Sequence, residues 1–502
     1  LLGVFILFQS SIIVKANPLR RYPSALSISR KEKEMSVSAS RTHPPYGFET
    51  EEEVLDYVSN PAHKVEFVRL HFPDILGRPM DFSIPSEELE TAFRDGKGID
   101  GSSVQGFVRI EESDLVVKPE ARTFRVLPWE YRGFSQDVVW REAIMFGDIM
   151  TPEGEHFEGD TRYVLKKALA RAKKEFGIDD FKVGPELEFF LFPSEHDIRF
   201  SDHGGYFFSG KHGGVRKEVQ LLLKRMGIAS EYDHHEVAHG QHEIDLKYCS
   251  ALDMADIGML FRYMVKKVAR MQGLYATFMP KPLNGQNGSG MHVHQSLWKN
   301  DRNIFFSEKG TYHLSDLAQH YMAGLMAHAR EISAVFSQWV NSYKRLIEGY
   351  EAPVYIAWGQ RNRSAYIRVP EYQPGKEMAT RIELRSPDPA CNIYLAFATM
   401  LMAGLTGIRG GYPLAAPVEE NIYHMSNAKQ KKFEIRTLPR NLEEAVRLME
   451  KSQLLREIFT EHIFTTFIAN KRAEIEEYNI NVSGEFEKQV SEYEVRKYLP
   501  FL

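Results

Sequence analysis

Only two of the 502 residues are cysteine, Cys249 and Cys391, and they lie far apart in unrelated surroundings. That excludes a disulfide framework and a thiolate metal site, and it suits a reducing, cytoplasmic setting. Basic excess is missing too. The 63 Lys and Arg are outnumbered by 68 Asp and Glu, for a formal charge of −5, so the charge gives no reason to expect nucleic acid. No G-x-x-x-x-G-K-[ST] loop occurs, so any nucleotide phosphates would have to be held by side chains and metal. Internal repeats and low-complexity linkers are likewise absent. Leu1 to Val14 is mostly apolar, but Gln9, Ser10 and Ser11 interrupt it, and it is too short to cross a bilayer; no membrane partner is expected. Arg20 to Lys33 is a basic run without periodicity, and the first Met is Met35. The expectation is a native start at Met35, with residues 1–34 a non-native or disordered extension. A targeting segment cleaved near Ala16 is the alternative, although no basic segment precedes its apolar part.

What remains is ordinary in bulk, with 43% hydrophobic and 26% charged residues, in a chain long enough for two domains. A small α+β unit is expected over 48–145 and a larger domain over 146–502. In the first, Glu51 to Val58 reads as a helix and Val65 to Phe72 alternates as a strand. Pro73 to Pro79 is turn chemistry, and Asp81 to Ile84 a second strand. Pro85-Ser86-Glu87-Glu88 opens a helix with Ser86 as N-cap, and the glycines from Gly96 to Gly106 mark a loop. In the second, helices are expected over Thr161 to Phe176, Val215 to Met226 and Ala255 to Gln272. Strand character recurs in Phe278 to Leu297, Val354 to Pro370 and Thr380 to Arg385, and the chain from Asn441 onward is helical and charged.

The most informative stretch is Val183-Gly184-Pro185-Glu186-Leu187-Glu188-Phe189-Phe190-Leu191-Phe192. It reads as a buried strand closed by Pro193. Glu186 and Glu188 are two residues apart, so both carboxylates leave the same face. Two surface glutamates on an edge strand would be the plain reading, but the surrounding phenylalanines argue for burial. Buried side by side, ionised carboxylates require a positive partner, which points to a cation site.

Four further clusters follow the same logic. His235 to Glu243 brings Glu236 and Glu243 together across a Gly-containing bend, and Gly288 to Ser296 places His292, His294 and Ser296 on one strand face. Arg381-Ile382-Glu383-Leu384-Arg385 puts Arg-Glu-Arg on one face and Ile-Leu on the other, and Arg361 to Arg368 adds three guanidiniums. Any one of these could be a half-exposed strand; together they deliver carboxylates, imidazoles and guanidiniums into one sheet. Oxygen donors with one imidazole suit Mg2+ or Mn2+ rather than structural zinc. Arginines beside such ions suit a nucleoside triphosphate and a transferring phosphoryl group.

These motifs resemble the glutamine synthetase family, in its type I class of bacteria and archaea. The resemblance rests on Asp100-Gly101-Ser102-Ser103, Gly184-Pro185-Glu186-Leu187-Glu188, Gly240-Gln241-His242-Glu243 and Asn287-Gly288-Ser289-Gly290-Met291-His292. It continues through Asn341-Ser342-Tyr343-Lys344-Arg345-Leu346, Gly349-Tyr350-Glu351-Ala352-Pro353, Arg361-Asn362-Arg363-Ser364 and Arg381 to Arg385. The motifs stand in family order over about Phe48 to Leu499.

The resemblance implies an α+β fold, with a small β-grasp-like N-terminal domain and a catalytic domain built on a curved antiparallel sheet with flanking helices. It implies ATP-dependent ligation of ammonium to glutamate through a γ-glutamyl phosphate; a γ-glutamyl-amine ligase using a polyamine is the alternative on the same fold. One metal would be held by Glu188, Glu236 and Glu243, and a second by Glu186, His292 and Glu383, giving two or more Mg2+ or Mn2+ per subunit. ATP would meet His294, Ser296, Arg363, Arg368 and Arg381. Glutamate would meet Glu188, Asn287, Gly288, His292, Arg345, Glu351 and Arg385. Arg363 would stabilise the transferring phosphoryl group, and Glu351 would shield the intermediate as a flap glutamate and accept a proton from ammonium.

Asp100 and Asp114 match the ammonium-site pair, which in the family reaches into a neighbouring subunit of a dodecamer of two stacked hexamers. Val108 to Asp114 is similar to the α-type subgroup, in which Arg109 would take part in feedback inhibition by glutamine, and a PII-type regulatory protein is a conceivable partner. Asn421-Ile422-Tyr423 resembles a tyrosine loop modified in the other subgroup, but the insertion that accompanies that control is lacking, so Tyr423 is expected to stay unmodified. Glu348, Gln286 and Ile393 depart from residues common in relatives (Pro, an acidic residue and Pro), which bears on fine kinetics and not on the chemistry.

Overall fold

In a computed structural model of the chain, residues 47–104, 106, 114–134, 137–199, 202–482 and 488–502 are described. Helix α1 (Glu51–Ser59) begins at Thr50, whose side chain and that of Glu53 cap each other's backbone N–H. Seven strands follow: β1 (Val65–Pro73), β2 (Pro79–Pro85), β3 (Lys97–Asp100), β4 (Asp114–Pro119), β5 (Arg125–Val126), β6 (Tyr131–Arg132) and β7 (Val139–Met150). They form one sheet in the order β2-β1-β7-β4-β3, with β5 and β6 also on β7. β1 and β7 run parallel and the other neighbours antiparallel. Helix α2 (Leu89–Asp95) packs on this β-grasp sheet through Leu89, Ala92 and Phe93. Two local expectations need correction here. Ser86 is not an N-cap: it lies inside a single 3-10 turn that has no side-chain cap. The stretch after Gly96 is strand β3 and a short turn at Gly101–Ser103, because Gly96 (φ 77°) ends α2 and turns the chain directly into β3, which pairs with β4.

The second sheet holds eleven strands. These are β8 (Asp180–Phe192), β9 (Ser230–His235), β10 (Gln241–Leu246), β11 (Cys249–Ser250), β12 (Tyr275–Thr277), β13 (Met291–Lys299), β14 (Arg302–Asn303), β15 (Tyr355–Gly359), β16 (Ala365–Arg368), β17 (Ile382–Leu384) and β18 (Arg436–Thr437). The principal order is β18-β15-β16-β17-β13-β8-β10-β9, so the Glu-x-Glu strand β8 is paired on both sides. The sheet is antiparallel except for β15 and β16, which run parallel. The expected strand character over Phe278 to Leu297 begins as strand only at Met291, since the Pro and Gly residues before it keep that part as loop.

Helices α3 (Thr161–Phe176), α4 (Gly213–Arg225) and α5 (Ala251–Met271) contribute buried side chains to the large core. Helix α6 (Asp316–His328) lies against α9 (Ile393–Gly410), with the short α7 (Ser333–Phe336) and α8 (Ser342–Arg345) between them in sequence. Helix α9 is long and apolar enough to cross a membrane, yet 78% of it is buried inside the fold. It is a core helix, which its apolar surface on every side requires. The C-terminal part is helical, through α10 (Asn427–Lys432), α11 (Leu442–Met449), α12 (Gln453–Ile458), α13 (Glu461–Asn481) and α14 (Glu492–Tyr498).

Candidate active site

Strand register builds the site. Glu186 on β8 stands opposite Asp245 on β10 and opposite His292 on β13, while Glu188 stands opposite Glu243. Next along the sheet, Glu383 on β17 pairs with His294 on one side and Arg368 on the other. The alternate residues Leu187, Phe189, Val293, Ile382 and Leu384 point into the core and are fully buried. One sheet face therefore carries the polar chemistry and the other supplies the core.

Two adjoining cavities lie over the polar face. The larger, of about 400 Å³, is lined by His294, Ser296 and Arg381 together with Tyr232 and Tyr372. The smaller, of about 200 Å³, is lined by Glu188, Glu236, Glu243, His292 and Glu383, with Asn287 and Gly288 at its edge. Arg345, Glu351, Arg363, Arg368 and Arg385 complete that wall. Glu186 and Tyr232 belong to both cavities and form the partition between them.

Around Glu186 the hydrogen bonds set the proton positions. Arg381 Nε donates to His294 Nδ1 at 3.1 Å, so the His294 Nε2–H donates to Glu186 Oε1 at 2.8 Å. His292 Nδ1 lies 3.2 Å from Glu186 Oε2 and 3.8 Å from Glu383 Oε1. Glu186, His292 and Glu383 offer ligand atoms within 4.8 Å of one another. Burial would raise Glu383, but Arg385 and Arg368 outweigh it and hold the carboxyl down at about 2. Burial also opposes ionisation of Glu186, yet His294 and His292 keep it well below the usual carboxylate range.

The residues of the other predicted metal set have further polar neighbours. Glu236 and Glu243 converge with His234, again within 4.8 Å, whereas Glu188 is held by Gln241 Nε2 at 2.7 Å and the Gly290 N–H at 3.0 Å. Burial and then the Glu236 charge push Glu188 well above the ordinary range. Burial and then Glu186 and Glu188 do the same to Glu243. Carboxylates packed this densely hold protons unless a cation replaces them. Oxygen-rich donors with one imidazole per group fit a hard divalent ion, so the residues present suit the expected metals. His234 and Gln241 are additions to the expected set; their i, i+2 spacing from Glu236 and Glu243 is the signal in the sequence that marks them.

A separate buried group, Asp202, His235 and His242, also has metal-like proximity. There Arg216 donates to His242 Nδ1 at 2.5 Å, which leaves the proton on Nε2 and removes that nitrogen as a ligand.

Around these carboxylates, residues lining the smaller cavity are held by backbone. Gly288 could carry no side chain, because a Cβ would stand 2.4 Å from the Pro280 carbonyl. Arg345 donates to the carbonyls of Arg385, Ser386 and Pro387. Arg385 donates to Glu383 Oε1 at 2.6 Å and reaches the Glu351 carbonyl at 3.5 Å, and among the described residues its buried Nε has no partner. Glu351 takes a left-handed φ of 56°, which for a non-glycine residue is strained. Arg363 lies 5.7 Å over the Tyr206 ring, and Ser296 accepts from Trp298 Nε1. Glu348 accepts from Tyr355 at 2.7 Å, and Tyr423 donates to the Ala352 carbonyl. Gln286 accepts from the His239 N–H at 3.4 Å, and Ile393 heads α9, packing against Gly258 of α5. Asp100 and Asp114 line neither cavity; they are exposed on the β-grasp sheet, with Asp100 accepting from Ser102 and Ser103. Arg109 lies outside the described residues.

Two family models match the chain: "Glutamine synthetase, beta-Grasp domain" over residues 64–152 and "Glutamine synthetase, catalytic domain" over residues 158–498. Among curated relatives, glutamine synthetase of Mycolicibacterium smegmatis is 45% identical over 442 residues, covering 87% of this chain and 96% of the relative. That of Methanosarcina mazei is 45% identical, covering 86% and 95%. A solved structure of a GmaS/ADP complex superposes with a TM-score of 0.74 at 30% identity, covering 88% of this chain and 98% of that one. Matched in both domains and along nearly the whole length of its relatives, the chain belongs to the glutamine synthetase family.

Proposed function

We propose that the chain is an ATP-dependent glutamate–ammonia ligase. The observation that carries this reading is the pair of cavities divided by Glu186, with nucleotide-type residues on one side and five carboxylates with four arginines on the other. A carboxylate oxygen is a poor leaving group, so the γ-carboxylate of glutamate is first phosphorylated by ATP and ammonia then displaces phosphate. ATP occupies the larger cavity against His294, Ser296 and Arg381, and glutamate the smaller one against Asn287, Gly288, Arg345 and the unpartnered Arg385 Nε. Glu186, His292 and Glu383 would hold one Mg2+ or Mn2+, and Glu188, Glu236 and Glu243, aided by His234, another; such ions offset phosphate charge. Arg363 and Arg368 face the moving phosphoryl group, and their positive charge counts most where it develops in the transition state.

Ammonium is not nucleophilic until it loses a proton, which a neighbouring subunit's Asp100 accepts, and the second proton shed as the C–N bond forms and phosphate leaves goes to Glu351. Residues Glu348 to Ala352 act as a flap that keeps water from the acyl phosphate. Because Asp100 and Asp114 stand apart from both cavities, this reading includes the dodecamer of two stacked hexamers, with each site completed by its neighbour. It also includes a cytoplasmic location, the α-type subgroup with Arg109 as a feedback contact, and a PII-type protein as regulator. The deciding assay is product formation from ATP, Mg2+ and glutamate with ammonium or larger amines by protein starting at Met35. Glutamine formed with ammonium, and lost on Glu351→Ala, supports the assignment. Preference for a polyamine moves it to a γ-glutamyl-amine ligase, and no turnover with any amine overturns it.

A further inference from the structure

We propose that Lys281 is a positioning residue that couples the glutamate loop to the flap over the active site; this rests on the assignment of glutamate to the smaller cavity. Lys281 is only 1% exposed. Its ammonium sits 3.8 Å from the centroid of the Tyr350 ring and donates to the Gln286 carbonyl. Among the described residues no carboxylate pairs with it. Burial, and then the nearby Arg345, push the group down to about 8. An unpaired buried ammonium is costly, so its two contacts are what keep it in place.

Each contact ends next to a residue assigned to the substrate. Gln286 precedes Asn287 and Gly288, and Tyr350 precedes Glu351; all but Gln286 line the smaller cavity, and Lys281 itself does not. The lysine backbone is rigid. Its N–H donates to Asn341 Oδ1 at 2.8 Å and its carbonyl accepts from Asn341 Nδ2 at 2.9 Å, while Asn341 also donates to Glu494. A fixed stem thus carries a cation that touches the loop on one side and the flap on the other. Movement of the loop as glutamate binds alters the support under Tyr350 and, through it, the placement of Glu351. The cation–ring contact needs a positive charge and an aromatic face, which makes the coupling separable by substitution.

The test compares wild type with Lys281→Met, Lys281→Arg, Tyr350→Leu and the Lys281→Met/Tyr350→Leu double variant. Two quantities are read: amide exchange of the 346–352 peptide with and without L-glutamate, in the presence of ADP and Mg2+, and the ratio of glutamine to ADP formed. In wild type, glutamate should slow flap exchange. In Lys281→Met that response should vanish, the glutamate KM should rise about tenfold, and the glutamine to ADP ratio should fall as acyl phosphate is lost to water. Lys281→Arg should restore part of the response, Tyr350→Leu should match Lys281→Met, and the double variant should be no worse than either. Retained protection and wild-type KM in Lys281→Met, or multiplied effects in the double variant, overturns the proposal. If Lys281→Met does not fold, Lys281→Arg and Tyr350→Leu decide: a glutamate response unchanged by removal of the ring overturns it. Wild-type protein that makes no glutamine, but whose flap still responds to glutamate through Lys281, refutes the activity assignment and leaves the coupling standing. A wild-type flap indifferent to glutamate refutes the coupling whatever the activity.

Discussion

Asp100 and Asp114 stand directly opposite each other across the antiparallel pair β3–β4. Like charges at facing positions disfavour the strand pair. Hydrogen bonds from Ser102 and Ser103 nonetheless hold the Asp100 carboxyl below its ordinary value, so it remains an ionised acceptor. An arrangement that costs stability and keeps a carboxylate charged suits a site for a small cation. Asp100→Asn and Asp114→Asn should each raise the melting temperature slightly while lowering kcat/KM for ammonium by about 10²-fold. Steady-state kinetics with ammonium varied, alongside calorimetry, would check both halves. Unchanged ammonium kinetics would remove the pair from the reaction.

Metal binding should release protons. Glu188 and Glu243 are pushed well above the carboxylate range by burial and by their neighbours' charges, so in the metal-free protein they keep protons that a divalent ion must displace. The sign follows: Mg2+ binds more weakly at pH 6 than at pH 8. Chelation should therefore lower the melting temperature by a larger margin at the higher pH, where the bare carboxylates repel. Titration calorimetry in buffers of different ionisation enthalpy measures the released protons directly, and pH-independent affinity would contradict the assignment.

Arg385 links Glu383 and Glu351 through one guanidinium, donating to the Glu383 carboxylate and reaching the Glu351 carbonyl. Arg385→Lys keeps the charge but cannot span both contacts. Glutamate KM should rise by about 10- to 100-fold, with a smaller loss in kcat for ATP at saturating glutamate. A kcat-only effect would place Arg385 outside glutamate binding.

Much of the site is legible in the sequence because strands have a period of two. Alternation alone assigns Glu186 with Glu188, His292 with His294 and Ser296, and Arg381 with Glu383 and Arg385 to one face each, and strand register puts them side by side. Long-range partners are harder to see. His234 meets Glu243 only through the pairing of β9 with β10, and Asp245 comes beside Glu186 in the wall of the larger cavity only when β10 lies against β8. Helix α9 is hidden for a different reason: it is buried on nearly every side, so it shows no amphipathic periodicity. Strand β3 is masked by glycine: Gly96 turns the chain out of α2 and lies close against Val116 of β4, and Gly98 sits within the strand.

Helices α6 and α9 meet through glycine. A Cβ on Gly407 would lie 2.2 Å from the His320 carbonyl and 2.6 Å from the Gly324 backbone. One on Gly324 would lie 2.3 Å from the Ala403 carbonyl. Backbone cannot yield as a side-chain tip can, so Gly407→Ala should cost about 1–3 kcal/mol. Thermal or denaturant unfolding would register it, with substrate KM unchanged in the folded fraction. A neutral result would mean that the two helices separate without penalty.

Arg162, on α3, is fully buried and gathers three carboxylates from other parts of the chain. It donates to Asp148 on β7 at 2.5 Å and to Asp256 on α5 at 3.0 and 2.9 Å, and it pairs with Glu120 at 2.8 Å. Burial would lower its pKa, but the three acids outweigh that and raise it, so the guanidinium stays charged throughout the useful pH range. Replacing all four groups with apolar residues could be nearly neutral; removing only the arginine leaves Asp256 buried without its cation, while Lys166 still pairs with Asp148 and Glu120. Arg162→Met should therefore destabilise the fold by about 3–5 kcal/mol. Adding Asp256→Asn should recover part of that loss by deleting one stranded charge. Equilibrium unfolding of the single and double variants tests the ordering, because a double variant less stable than Arg162→Met would show that Asp256 serves Tyr394, whose hydroxyl donates to it at 2.7 Å, more than it serves the arginine.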